Sequence, residues 1–166
     1  MYKHSTGIVL EKMSAYDLAD LMKLKNTSWM STHRTTFLNM TDQNKWFDKI
    51  NSDLSYLMLM ANVEGLGTVG IFKIDSIDAI NRSCNVAWDI FEKFRGAGLG
   101  KKLVQAGVDF CLEVLNMHRL NAEILENNEP SIKCADAAGF VFEGNKKQAV
   151  YKLGIYIDSH VFGLVV

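Results

Sequence analysis

The chain has 166 residues, 48% of them apolar and 22% charged, which suits a soluble globular protein with a sizeable core. Its 18 basic and 19 acidic residues give a net charge of -1, which argues against a general nucleic-acid binder. No apolar run nears the ~20 residues of a membrane-spanning helix, and Met1-Tyr2-Lys3-His4-Ser5 lacks a signal-peptide core. Cys84, Cys111 and Cys134 are scattered, without a Cys-x-x-Cys pair, so reduced thiols and a cytoplasmic setting are expected. The four histidines show no zinc-ligand spacing with them, and no metal is expected.

In chain order, Ile8-Val9-Leu10 predicts a first strand. Ser14 to Asp17 opens a helix in the manner of a capping box, continued by Leu18, Leu21, Met22 and Leu24. Asn26 to Met40 reads as irregular, and Thr41 as the cap of a second helix through Ile50. Leu54 to Met60 predicts a strand, Glu64 to Gly67 a hairpin turn and Thr68 to Ile74 the next strand. A polar loop, Asp78 to Ser83, leads to a strand from Cys84 to Phe91. Apolar residues at 99, 103, 106, 107, 110, 111, 114 and 115 give an amphipathic helix. Leu120 to Leu125 is a strand, Asn128 to Ser131 opens a helix with Pro130 in its first turn, and Gly139 ends it. Phe140 to Glu143 and a run from about Tyr151 to Val166 are the last strands. No repeat or linker divides the chain, so residues 1–166 are read as one domain. A strand, loop, helix and strand in the middle imply a parallel pair that parts near the loop.

The most informative segment is Phe94-Arg95-Gly96-Ala97-Gly98-Leu99-Gly100-Lys101-Lys102. Bare backbone at three alternating glycines lets several N–H groups face one anion, beside the positive end of a helix. Arg95, Lys101 and Lys102 add positive charge nearby. The Walker spacing fails, with Arg95 where glycine is needed and Lys102 where Ser or Thr is needed. The Rossmann spacing fails as well.

What remains, Arg95-x-x-Gly98-x-Gly100, resembles the acyl-CoA loop of the GNAT superfamily of N-acetyltransferases. The element order is similar to that family across nearly the whole chain. Asn128-Glu129-Pro130-Ser131 followed by Gly139-Phe140 resembles its Asn-x-x-Ser/Ala … Gly-Phe signature. Glu143-Gly144, Trp29 with Trp46-Phe47, and Tyr156-Ile157-Asp158 are similar to a branch with ribosomal-protein N-terminal, spermidine and amino-sugar acetyltransferases. The resemblance implies an α/β fold with a mostly antiparallel central sheet, a splayed parallel pair and helices on both faces. It implies acetyl-CoA as cofactor and transfer to a primary amine, by direct attack in a ternary complex. The acceptor is then a protein N-terminus, a polyamine or an amino sugar, and pairing with a second copy is common among such proteins.

The same resemblance assigns cofactor contacts to Arg95, Gly96, Ala97, Gly98, Leu99, Gly100, Lys101 and Asn128. It also has the backbone of Trp88-Asp89-Ile90 pair with the pantetheine arm like an added strand. Many relatives carry a tyrosine acid four residues before the Gly-Phe pair, where this chain has Ala135. Ser131 is the substitute the resemblance offers for the leaving thiolate. As base, Glu123 sits in the apolar strand Ala122-Glu123-Ile124-Leu125, where burial would raise its pKa; Asp89 is a second candidate of this kind. Val150 stands where the ribosomal-protein branch has a carboxylate. Trp29, His33, Arg34 and Phe37, between the first helices, form the expected acceptor wall. Ala135 and Val150 keep a second reading open, a CoA-binding module without catalysis.

Overall fold

Alternating inward and outward side chains let one sheet pack on both faces. The computed structural model describes residues 1–34 and 37–166. Its elements are β1 (Tyr2–Lys3), β2 (Ile8–Lys12), α1 (Leu18–Thr27), α2 (Met40–Asn51), β3 (Leu57–Val63), β4 (Gly67–Asp78), β5 (Ser83–Ile90), α3 (Leu99–Asp109), β6 (Arg119–Leu125), α4 (Glu129–Ala137), β7 (Val141–Lys152) and β8 (Ile155–Val165). The strands form one sheet ordered β1-β2-β3-β4-β5-β6-β8-β7.

Every neighbouring pair is antiparallel except β5 with β6. This parallel pair is short, with only Ser83–Asn85 in register with Arg119–Asn121. Beyond it the two strands part, and residues 86–90 of β5 keep a free edge toward the gap. On one face, Val86, Leu120, Ala122 and Ile124 pack with Leu103, Val104 and Ala106 of α3. On the other, Met58, Met60 and Ile71 pack with Leu18, Leu21 and Leu24 of α1, and with Trp46, Phe47 and Ile50 of α2. Helices therefore cover both faces, as the resemblance implied. No helix among the described residues is long and apolar enough to cross a membrane.

Several boundaries differ from those read in the sequence. Asn39, not Thr41, caps α2: its side chain accepts from the Asp42 N–H at 3.0 Å, and Asp42 accepts from the Asn39 N–H. Leu54 is 97% exposed and outside β3, because Asp53 takes up the N–H and hydroxyl of Ser55 in a turn. β4 continues to Asp78, whose carboxylate accepts the N–H groups of Ile80 and Asn81 and closes the turn into β5. The last two strands form a long hairpin broken at Leu153-Gly154, both at positive φ. One glycine in an apolar run hid that turn, so Tyr151 and Lys152 belong to β7, not β8.

Candidate active site

Where β5 ends, the chain turns through the glycine loop into α3. Gly96 and Gly98 have φ of +80° and +75°, which side-chain-bearing residues rarely adopt, and a Cβ on either would meet nothing within 4 Å. Gly98 is the N-cap of α3 and no side chain caps that helix, so its first N–H groups lack intrahelical partners. These groups border a cavity of about 640 Å³ lined by Trp88, Asp89, Ile90, Arg95, Gly96, Gly98, Gly100, Lys101, Asn128 and Ser131, with Cys134. Gly100 lets α4 approach, since a Cβ there would stand 3.1 Å from the Cys134 sulfur. Leu99 is buried in the core and fastens the loop, whereas Ala97 is exposed. Unpartnered N–H groups, a helix N-terminus and Lys101 are a donor set that fits the diphosphate of a CoA-type cofactor.

Arg95 lines this cavity, but two of its guanidinium nitrogens are engaged within the chain. Its Nε donates to the Ile90 carbonyl at 3.0 Å and its Nη2 to the Ser28 hydroxyl at 2.7 Å, and Nη2 lies 3.3 Å from the Asp89 carboxylate. Burial pushes the Asp89 carboxyl pKa up, while Ser28 and Arg95 pull it back. The guanidinium therefore ties the cofactor loop to the end of α1.

The residues that follow α1 cross the gap between β5 and β6 as a strap. Trp29–Ser31 form one 3-10 turn. Lys152 donates to the carbonyls of Trp29 and Thr32, the Asn128 amide donates to the Ser31 carbonyl at 2.8 Å, and His33 bonds the Ser159 hydroxyl at 2.7 Å. Trp29 packs edge-on against Phe37, with ring centres 5.4 Å apart. Thr35 and Thr36, within the predicted irregular segment, lie outside the described residues. Under the strap is a second cavity of about 80 Å³ between Val86–Trp88 and Ala122–Leu125, lined also by His33. Ser31, Thr32, Trp88, Asn128 and Ser131 line both cavities, so the two meet there.

The structure thus brings Ser131, Trp88, Asn128 and His33 together. Asn128 caps α4 through the Ser131 N–H, so both ends of its amide are used within the chain. Glu123 borders the small cavity but is not buried as its apolar strand suggested: its side chain is 44% exposed and ion-paired with Lys146. β6 alternates, and Glu123 falls on the face that the parting strands leave open. Desolvation lowers the His33 pKa, and the Glu123 carboxylate partly opposes it. Arg34 is half-buried beside it. Ala135 lies in the core and lines neither cavity, one turn away from Ser131. Val150 packs with Leu125 and Ile157.

Sequence reasoning missed Lys152, Ser28 and Ser159. Lys152 is buried at 2% exposure, and burial lowers its pKa. Val150 and Lys152 alternate inward along β7; recognising that strand would have singled out the lysine. Ser28 and Ser159 carry no signal in the sequence.

A family model described as an acetyltransferase (GNAT) domain matches residues 8–141. Over 98% of this chain, an uncharacterized N-acetyltransferase p20 of Bacillus licheniformis is 26% identical, with 94% of that protein covered. A putative ribosomal N-acetyltransferase, YdaF of Bacillus subtilis, is 22% identical over 98% of this chain and 92% of its own. Alignments to several other curated N-acetyltransferases span about half the length of those proteins. The crystal structure of spermidine N-acetyltransferase from Vibrio cholerae, in complex with CoA and spermine, superposes with a TM-score of 0.91 at 18% identity, covering 97% of this chain and 96% of that one. The chain belongs to the GNAT family of N-acetyltransferases, whose members draw their acetyl group from acetyl-CoA.

Proposed function

We propose that the chain is a single acetyltransferase domain that moves an acetyl group from acetyl-CoA to a primary amine, by direct attack in a ternary complex. The observation that carries this is the junction at Trp88 and Ser131, where an anion-binding cradle meets a cavity under the strap. Gly96, Gly98, Gly100 and Lys101 would hold the cofactor diphosphate, and the free edge of Trp88–Ile90 its pantetheine arm. Bound there, the cofactor supplies an activated thioester. Ser131 lines both cavities, and its hydroxyl would hydrogen-bond the leaving sulfur. Glu123, reached through water, and Asp89 are the carboxylates able to take the amine proton. The Bacillus and Vibrio relatives support protein N-termini and polyamines as acceptor classes, and an amino sugar is the third.

Thiol release from acetyl-CoA with a panel of spermidine, amino sugars and short peptides tests the reading. Amine-dependent release is expected, with kcat lowered about tenfold or more in Ser131→Ala. Tight CoA binding without release on any amine would leave a non-catalytic binding module.

A homodimer is part of this proposal. β7 is a long edge strand whose hairpin exposes Val141, Phe142, Tyr151, Ile155 and Tyr156, and such edges favour pairing. A Vibrio cholerae spermidine N-acetyltransferase is described as dodecameric, which supports self-association. Sedimentation should show a dimer that Phe142→Lys with Tyr151→Lys reduces to monomer; a monomeric parent chain would refute it.

A further inference from the structure

Among the described residues, the small cavity beneath the strap has two titratable groups on its wall, His33 and Glu123. Its volume of about 80 Å³ takes the end of one amine and a few waters, so a group on the wall reaches that amine directly or through one water. Trp88 and Ser131 line this cavity and the larger one as well. Asp89 lines the larger cavity only, and Arg95 donates to its carboxylate. The Glu123 carboxylate is paired with Lys146.

His33 is held differently. Its Nε2 lies 2.7 Å from the Ser159 hydroxyl, and Ser159 is fully buried. Ser159 stands opposite Leu125 in the register of β6 with β8, at the end of the β6 segment that walls the cavity. Nδ1 makes no hydrogen bond with any described residue. His33 is itself exposed, so with Nε2 turned to a buried hydroxyl the open side of the ring carries Nδ1. The ring therefore borders both the cavity and water.

Imidazole is the side chain whose ordinary charge change falls between about pH 5 and 8. A hydroxyl can accept from Nε2–H, so the bond to Ser159 persists when the ring becomes charged. Burial lowers the ring's pKa most; Glu123 of β6 opposes this, and Lys152 and Lys146 of β7 and Lys73 of β4 add to it. The net shift is below the ordinary 6.5, which favours the form that accepts a proton.

We infer that His33 is a catalytic base of the transfer: its Nδ1 takes a proton from the attacking amine while Ser159 holds Nε2. The inference rests on the acetyl-transfer reading and gives the proton a first acceptor other than the carboxylates. As the amine nitrogen bonds the acetyl carbon and the bond from that carbon to sulfur breaks, one proton passes from nitrogen to Nδ1. The imidazolium gives it to water on its exposed side, and the leaving thiolate takes one in turn, so no proton is gained or lost.

Thiol release from acetyl-CoA between about pH 5 and 9 tests it, with spermidine, glucosamine and a short peptide as acceptors, read as kcat, which reports ionisations in the bound complex. In the parent chain kcat should fall on the acid side with a half-point below 6.5. His33→Gln should lower kcat about a hundredfold with KM within about threefold, and should abolish the acid fall. Imidazole added to His33→Ala should restore release, and Ser159→Ala should shift the acid fall. Nitrogen-15 NMR of the ring adds a readout that needs no acceptor: at alkaline pH the proton should sit on Nε2 and leave Nδ1 bare. A proton held on Nδ1, a His33→Gln kcat within about threefold of the parent, or an acid fall that Glu123→Gln removes and His33→Gln keeps, would overturn the inference. Release that His33→Gln leaves unchanged refutes this base and keeps acetyl transfer. CoA binding by the parent without release on any amine refutes acetyl transfer, and the base with it.

Discussion

Gly98→Val is expected to weaken acetyl-CoA binding about a hundredfold, a loss of ~2.7 kcal/mol. Two causes act together. Gly98 sits at φ +75°, which a β-branched residue adopts only with strain of about 1–3 kcal/mol. The loop would relax by turning, and the N–H groups of the first turn of α3 would lose their common aim. The open space over Gly98 would also fill with two methyl groups, where the backbone must otherwise approach an anion. Calorimetry on the purified protein measures this directly. An affinity within threefold of the parent would mean that the diphosphate is held elsewhere.

Gly107→Ala is expected to lower the melting temperature by roughly 3–10 °C, a cost of about 1–3 kcal/mol. In an ordinary helix interior this change stabilises by roughly 0.5–1 kcal/mol, because glycine loses more backbone freedom on folding. Here the sign reverses. A Cβ at position 107 would stand 2.3–2.4 Å from three atoms of the Phe72 ring. Phe72 is fully buried, and its ring is stacked within 11° of parallel on Trp88, which lines both cavities. The ring cannot yield without moving Trp88, so the loss of stability should come with weaker cofactor binding. Thermal unfolding followed by circular dichroism checks the first effect, and a rise in melting temperature would show that the sheet and α3 separate freely.

Both predictions rest on backbone positions whose importance is partly visible in the sequence. The alternating glycines and the one-sided apolar pattern after Leu99 mark a loop entering a packed helix, because periodicity and backbone sterics are local. What the pattern does not show is that Gly107 faces one phenylalanine 35 residues earlier in the chain. The site was legible to a similar depth. Trp88, Ser131 and the glycine loop fall together because they end or begin elements, and the parting of β5 and β6 brings such ends to one place.

Arg95 and Glu123 mark where local reading stopped. Arg95 reads as one more positive charge at a phosphate loop, yet its guanidinium is held by Ser28, 67 residues away, and by Asp89. Glu123 reads as a carboxylate buried among apolar neighbours, yet the gap between the parallel strands leaves it exposed beside Lys146. The tie from Arg95 to Ser28 also connects the cofactor loop to the strap that walls the acceptor cavity.

By itself the sequence determined the order of strands and helices, the parallel crossover through α3 and the glycine cradle. Those follow from apolar periodicity, capping and glycine's access to positive φ, all of which act within a few residues. Only the tertiary structure decided which polar side chains serve the site. Lys152 holds carbonyls of Trp29 and Thr32 across more than a hundred residues, and Ala135 turns into the core while Ser131 lines the junction. A polar group finds its partner through burial and distance, and both are set by the packing of elements far apart in the chain.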